Sequence, residues 1–271
     1  MFGNDDRTGD DGQSGFRPVA ELLLALRFHT RLPIPFLRTL DPPPLAQAMR
    51  FFPVAGAVVG ALIGAMLIAA ALLNLPPALA AIVAVAGGMF LTGARHEDGL
   101  ADMADGFGGG ETREQRLDIM ADSRLGTYGT SALALSLMAR VVILENLLAL
   151  RPLAVIVLLA GAAAFSRALM VDLLWATRPA RLESTMLDHG RPGRAVTLFA
   201  LFTGGAMVTA AGAIMIAPEA GMLALVAALA TTAGLRALSM RLIGGQNDNV
   251  AGAAQVLSEV AMLTAFVASI G

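Results

Sequence analysis

The chain has 271 residues, of which 56% are hydrophobic and only 15% charged, with a net charge of −2 and a mean hydropathy of +0.69. A soluble domain of this size needs a surface far richer in charge, so the composition excludes that class and points to an integral membrane protein. No basic tract suggests a nucleic-acid partner, and the lack of any cysteine excludes disulfides and thiolate metal sites.

Residues 1–15 are acidic, glycine-rich and without an apolar core, which reads as a disordered tail rather than a secretory signal. From Phe51 to Ala94, 44 residues carry no ionisable side chain, about twice the ~20 residues that one spanning helix needs. Asn74-Leu75-Pro76-Pro77 breaks that run near its middle, so it predicts a helical hairpin with spans at 53–73 and 78–94. Gly56, Gly60 and Gly64 repeat every four residues and give the first span a flat face for close helix packing.

The next segment reverses the pattern. Between Thr92 and Thr130 lie eight of the 21 acidic residues. Asp98, Asp102 and Asp105, at i, i+4 and i+7, share one face of a helix, with Glu97 beside them. Like charges crowded on one stripe cost free energy unless a cation or protons offset it. Glu114, Asp118 and Asp122 repeat the spacing on a second helix, which Thr112 and Gln115 are placed to start with a capping box. Gly106-Phe107-Gly108-Gly109-Gly110 between them reads as a turn whose amides can approach a phosphate. Two carboxylate-bearing helices joined by such a turn fit Mg²⁺, a hard cation that takes oxygen ligands.

Five further spans follow, at 130–150, 153–174, 196–217, 221–241 and 251–270, making about seven transmembrane helices in an all-α, polytopic bundle. Arg140 and Arg167 lie inside spans and are functional candidates on that ground. With seven spans, every arginine outside the spans except Arg151 falls on one side of the membrane. The positive-inside rule makes that side cytoplasmic. All the long polar segments (1–52, 95–130, 175–195 and 242–250) face it, so the active site is expected at the cytoplasmic face.

His96-Glu97-Asp98-Gly99-Leu100-Ala101-Asp102-Met103-Ala104-Asp105-Gly106, followed by Asp122-Ser123-Arg124 with Gly126 and Thr127, strongly resembles the cobalamin synthase family, the adenosylcobinamide-GDP ribazoletransferases. Phe28-His29-Thr30-Arg31-Leu32-Pro33 and Phe52-Pro53-Val54-Ala55-Gly56 are similar to two further family motifs, and Gln255 and Glu259 fit its C-terminal pattern. One departure stands out: where the family usually has an aspartate, this chain has Asn249, with Asp248 one residue earlier.

The resemblance implies a single membrane-embedded catalytic domain over 16–271 in the inner (cytoplasmic) membrane. It implies Mg²⁺-dependent joining of adenosylcobinamide-GDP to α-ribazole or α-ribazole 5′-phosphate, with release of GMP. On that reading Asp98, Asp102, Asp105 and Asp122 hold the metal, and Asp105, His96 and Arg124 carry catalysis. Arg31, Gly108, Gly109, Ser123 and Thr127 bind the phosphate-bearing substrate. The partners are the two substrates and the lipid bilayer, with homo-oligomerisation left open. Two other readings compete: a CDP-alcohol phosphotransferase, whose D-G-x-x-A-R start is not met at Asp102, and a divalent-cation transporter, which would need carboxylates deep in the spans.

Overall fold

The computed structural model describes residues 17–34, 43–122, 124–181 and 190–270. The tail expected over 1–15, and Ser123, lie outside them. Among the described residues the secondary structure is helical apart from one isolated bridge between Pro179 and Gln246. In chain order the helices are α1 (Pro18–His29), α2 (Leu45–Ala48), which runs through a 3₁₀ turn (Met49–Phe51) into α3 (Phe52–Leu72), α4 (Pro77–Thr92), α5 (Arg95–Gly109) and α6 (Arg113–Ala121). After them come α7 (Thr127–Leu147), α8 (Pro152–Ala176), α9 (Arg194–Met215), α10 (Pro218–Leu242) and α11 (Asp248–Ala268). Proline opens α1, α3, α4, α8 and α10 within their first turn, where its missing N–H costs nothing.

Six helical segments, α3 with its lead-in and α7 to α11, are each long and apolar enough to cross a bilayer. The other expected span, α4, has only 16 residues, about 24 Å at 1.5 Å per residue, against a hydrocarbon core of roughly 30 Å. It passes into α5 through a 92° bend, and counting that pair gives seven spans. The bend is made by Gly93 (φ 74°) and Ala94 (φ 54°), both in the left-handed region that favours glycine. The break expected near Asn74 is also present, with Asn74 itself left-handed (φ 60°).

The centre of the bundle is α8, which is buried along most of its length. The glycines of α3 lie flat against it. A Cβ at Gly56 would run into the Ala163 carbonyl and the Arg167 side chain, and one at Gly60 into the Leu159 carbonyl. Gly161 and Gly204 bring α8 and α9 together in the same way. Lipid tails are as apolar as leucine, so backbone approach of this kind is what holds such helices together.

The polar segments gather at one end of the bundle. Arg113 donates to the Ile243 and Ala180 carbonyls, Arg116 to Leu242 and Arg178 to Gly244, so three arginines satisfy the carbonyls at the C-terminal end of α10. The Ala180 N–H donates to the Gln246 carbonyl and the Gln246 N–H to the Arg178 carbonyl, Arg181 pairs with Asp118 at 2.5 Å, and the His29 ring lies 5.6 Å from that of His96.

Candidate active site

α5 lies across this polar end, and its two sides differ in character. Asp98 is exposed, Asp102 half-buried and Asp105 buried, while His96, Glu97, Leu100, Ala101 and Met103 are buried. Gly99 and Gly252 allow the start of α11 to lie directly on α5, since a Cβ at Gly99 would come 3.1 Å from the Asn249 carbonyl oxygen. The expected stripe of Asp98, Asp102 and Asp105 is therefore present on one helix, at the edge of the bundle.

Asp105 has a second task. One of its carboxylate oxygens accepts the Gly126 N–H at 2.7 Å and the other the Gly129 N–H at 2.8 Å. It thus caps the first turn of α7, which has no cap from its own side chains, with a carboxylate at the positive end of the helix. Gly126 and Gly129 have to be glycines here, because a Cβ at either would strike that carboxylate. Thr127, exposed at the first position of α7, and exposed Arg124 lie in the same turn region as this cap.

Asp102 is the most perturbed carboxyl of the stripe. Its pKa is pushed up to about 6, first by burial and then by the charges of Asp98 and Asp105, against a hydrogen bond from Asn249. Asn249 also donates to the Met120 carbonyl at 2.8 Å, tying α11 to α6. At this position the chain therefore offers Asp102 an amide donor in place of a second negative charge. Sequence reasoning treated Asn249 only as a missing aspartate; its neighbour on α5 lies far away in the chain. Asp248 is half-buried at the first position of α11.

The second acidic group does not join the stripe. Thr112 and Gln115 form the capping box that starts α6, but Glu114 pairs with Arg113 and Asp118 with Arg181. Asp122 closes α6 at its C-terminal end and accepts from the Arg124 backbone and guanidinium, at 2.6 Å for the nearest pair. Those hydrogen bonds from Arg124 hold its carboxyl below the usual range.

Three other expectations are corrected in geometry. The glycine run is not a turn: α5 stays helical through Gly109, and the chain turns only at 110–112. Gly108 and Gly109 thus sit at the C-terminal end of a helix, where the free groups are carbonyls and the amides are bonded back into the helix. Gly106 and Gly108 instead make room for Met120 of α6 and the Tyr128 ring of α7. Glu97 parts from the stripe and pairs with Arg140 of α7 at 2.5 Å. His96 is 4% exposed and turned inward, its ring beside that of His29 and away from the aspartates. Arg31 stands at the other end of α5, its N–H bonded to Leu91 O at 2.8 Å and its guanidinium laid against Gly93 in the bend.

The residues suit a hard cation without forming a closed cage. Among the described residues no three acidic or histidine side chains converge on one point. Mg²⁺, however, typically uses one or two carboxylates and completes its shell with water and substrate phosphates. Asp98 and Asp102 are the outward-facing pair, and the raised pKa of Asp102 reflects burial first and the neighbouring charges of Asp98 and Asp105 second.

A family model described as cobalamin-5-phosphate synthase matches residues 21–267. Curated relatives named adenosylcobinamide-GDP ribazoletransferase align over nearly the whole chain. That of Azorhizobium caulinodans is 43% identical, covering 91% of this chain and 95% of its own. The relative from Xanthobacter autotrophicus is 41% identical with the same coverage, and that from Mesorhizobium japonicum is 39% identical over 90% of this chain and 91% of its own. No solved structure matches the chain.

Proposed function

The chain belongs to the cobalamin-5-phosphate synthase family, a transferase family of the last step in cobalamin assembly, and on that premise we propose how its polar end works. The enzyme joins adenosylcobinamide-GDP to α-ribazole or α-ribazole 5′-phosphate and releases GMP. It works from the cytoplasmic face of the inner membrane, an orientation that the arginine distribution supports. The observation that carries this reading is the stripe of Asp98, Asp102 and Asp105 at the edge of the bundle, with polar segments among the described residues packed beside it.

In phosphoryl transfer the protein contributes positioning and charge stabilisation more than covalent chemistry. A hydroxyl oxygen of the ribazole forms a new bond to the phosphorus bearing the cobinamide, and the bond from that phosphorus to GMP breaks. Asp98 and Asp102 would hold Mg²⁺, which would neutralise diphosphate charge. Arg31 and Arg124, at opposite ends of α5, supply planar donor forks for phosphate oxygens. The hydroxyl proton passes to water at this exposed edge rather than to Asp105 or His96. Asp105 already accepts two amides, and His96 faces the interior.

Replacing Asp98 and Asp102 singly with Asn and following GMP release over a range of Mg²⁺ concentrations tests this. Each variant is expected to need far more Mg²⁺ and to turn over at least about a hundredfold more slowly. Parent-like turnover in both would remove the stripe from the chemistry.

A further inference from the structure

The inward side of α5 meets a charged cluster inside the bundle. Glu97 pairs with Arg140 of α7 at 2.5 Å, and Arg140 reaches Glu259 of α11 at 3.9 Å. Glu259 in turn contacts Arg167 of α8 at 3.4 Å, Ser166 at 3.3 Å and Gln255 at 2.6 Å. Two carboxylates and two guanidiniums thus balance, drawn from four helices that are distant in sequence. Side-chain exposure is 7% for Glu97, 12% for Arg140, 2% for Arg167 and 13% for Glu259. The cluster lines part of a cavity of about 40 Å³ whose other walls are mostly apolar, from α3, α4, α7, α8 and α11. Glu97 Oε2, Arg140 Nε, Arg167 Nε and His96 Nε2 are buried around it without a protein partner.

Such a cluster is a costly way to hold helices together, since well-packed apolar residues often do so as well or better. What it adds is register: apolar surfaces slide with little penalty, whereas a charge-balanced lattice has one arrangement and leaves a buried charge when disturbed. For α5 that constraint bears on the site itself. The helix hangs from a 92° bend between two left-handed residues, and Glu97 is the residue next to Asp98.

We propose that the lattice of Glu97, Arg140, Glu259 and Arg167 positions α5, with Glu97–Arg140 as the tie that sets where the Asp98–Asp102 pair stands. Glu97 and Arg140 are then positioning residues of the transferase, acting through the stripe rather than on the substrate. The inference deepens the metal-stripe reading and rests on it for its catalytic consequence, but the placement of α5 can be measured without metal.

The absence of native cysteine makes that measurement direct. Gly109→Cys, exposed at the end of α5, and Leu198→Cys, 51% exposed in the first turn of α9, accept spin labels for a distance measurement in detergent. In this doubly labelled parent the distribution is expected to be narrow. E97Q and R140Q should each broaden or shift it and weaken Mn²⁺ binding, read by electron spin resonance, by about tenfold or more, the usual cost of losing support behind a metal ligand. The double variant E97Q/R140Q leaves Arg167 and Glu259 balanced but has no ionic tie, so its distribution should stay broad; a narrow one would mean that unpaired buried charge, not the tie, moves α5 in the single variants, and would overturn the proposal. E97D, which keeps the charge on a shorter arm, gives an intermediate result and serves if a neutral variant does not fold. A parent-like distribution in E97Q and R140Q, or in E97D in their place, overturns the proposal. D102N separates the two readings: it should lose Mn²⁺ while α5 stays in place. Retained Mn²⁺ binding in D102N would refute the metal reading, and the distance data would still decide the positioning.

Discussion

Asp102 shows how one side chain can carry both the cost and the use of a site. Its pKa, about 6, lies above the ordinary aspartate value of about 3.9. The folded protein therefore holds that proton more tightly than the unfolded chain does, and stability falls as pH rises between ~4 and about 6. Metal binding has the opposite sign, because it requires the ionised carboxylate. Mn²⁺ affinity is thus expected to drop by up to about tenfold per pH unit below an inflection near 6, and D102N should abolish the inflection. N249D replaces the amide donor with a like charge, so the inflection should move to higher pH; a titration at fixed ionic strength checks both. The stripe itself was legible in the sequence from helical spacing alone, whereas His96 was expected to share in catalysis although it lies roughly 150° around the helix from the aspartates at 100° per residue. The Glu97–Arg140 and Asn249–Asp102 contacts were not, because each joins residues far apart in the chain and no local period encodes them.

At the scale of elements, apolar runs located the spans to within about three residues, since each run must match the same bilayer thickness. Two things escaped that logic. α1 is short and half-buried, with too little apolar length to stand out. The glycine run 106–110 carries strong turn composition, yet tertiary packing of Met120 and Tyr128 keeps α5 helical through Gly109. Glycines in this chain serve approach more often than turning, and that distinction can be tested. On α3, Gly60→Ala forces a methyl against the Leu159 carbonyl and should destabilise by about 1–3 kcal/mol. On α10, a Cβ at Gly234 meets nothing within 4 Å, so Gly234→Ala should be neutral or stabilise by up to about 1 kcal/mol through helix propensity. Thermal unfolding of both variants in the same detergent decides the matter; equal effects would mean that α3 and α8 do not meet through their backbones.

The bundle is asymmetric along its axis: among the described residues most arginines and carboxylates outside the spans, with the α5–α6 unit, lie at one end, and short, sparsely charged connections at the other. That asymmetry follows from span parity, and it gives the assigned orientation a sharp test. Leu125, 56% exposed just before α7, belongs to the polar end, whereas Leu153, 65% exposed at the start of α8, belongs to the opposite one. One α7 span separates them, so their sidedness must be opposite whatever the direction of the bundle. With no native thiol to compete, Leu125→Cys and Leu153→Cys can each be treated with a membrane-impermeant maleimide in intact spheroplasts. Leu153→Cys should label at once and Leu125→Cys only after permeabilisation. The reverse pattern would place the aspartate stripe outside the cytoplasm, away from a nucleotide-linked substrate made there, and labelling of both from one side would mean that α7 does not span at all.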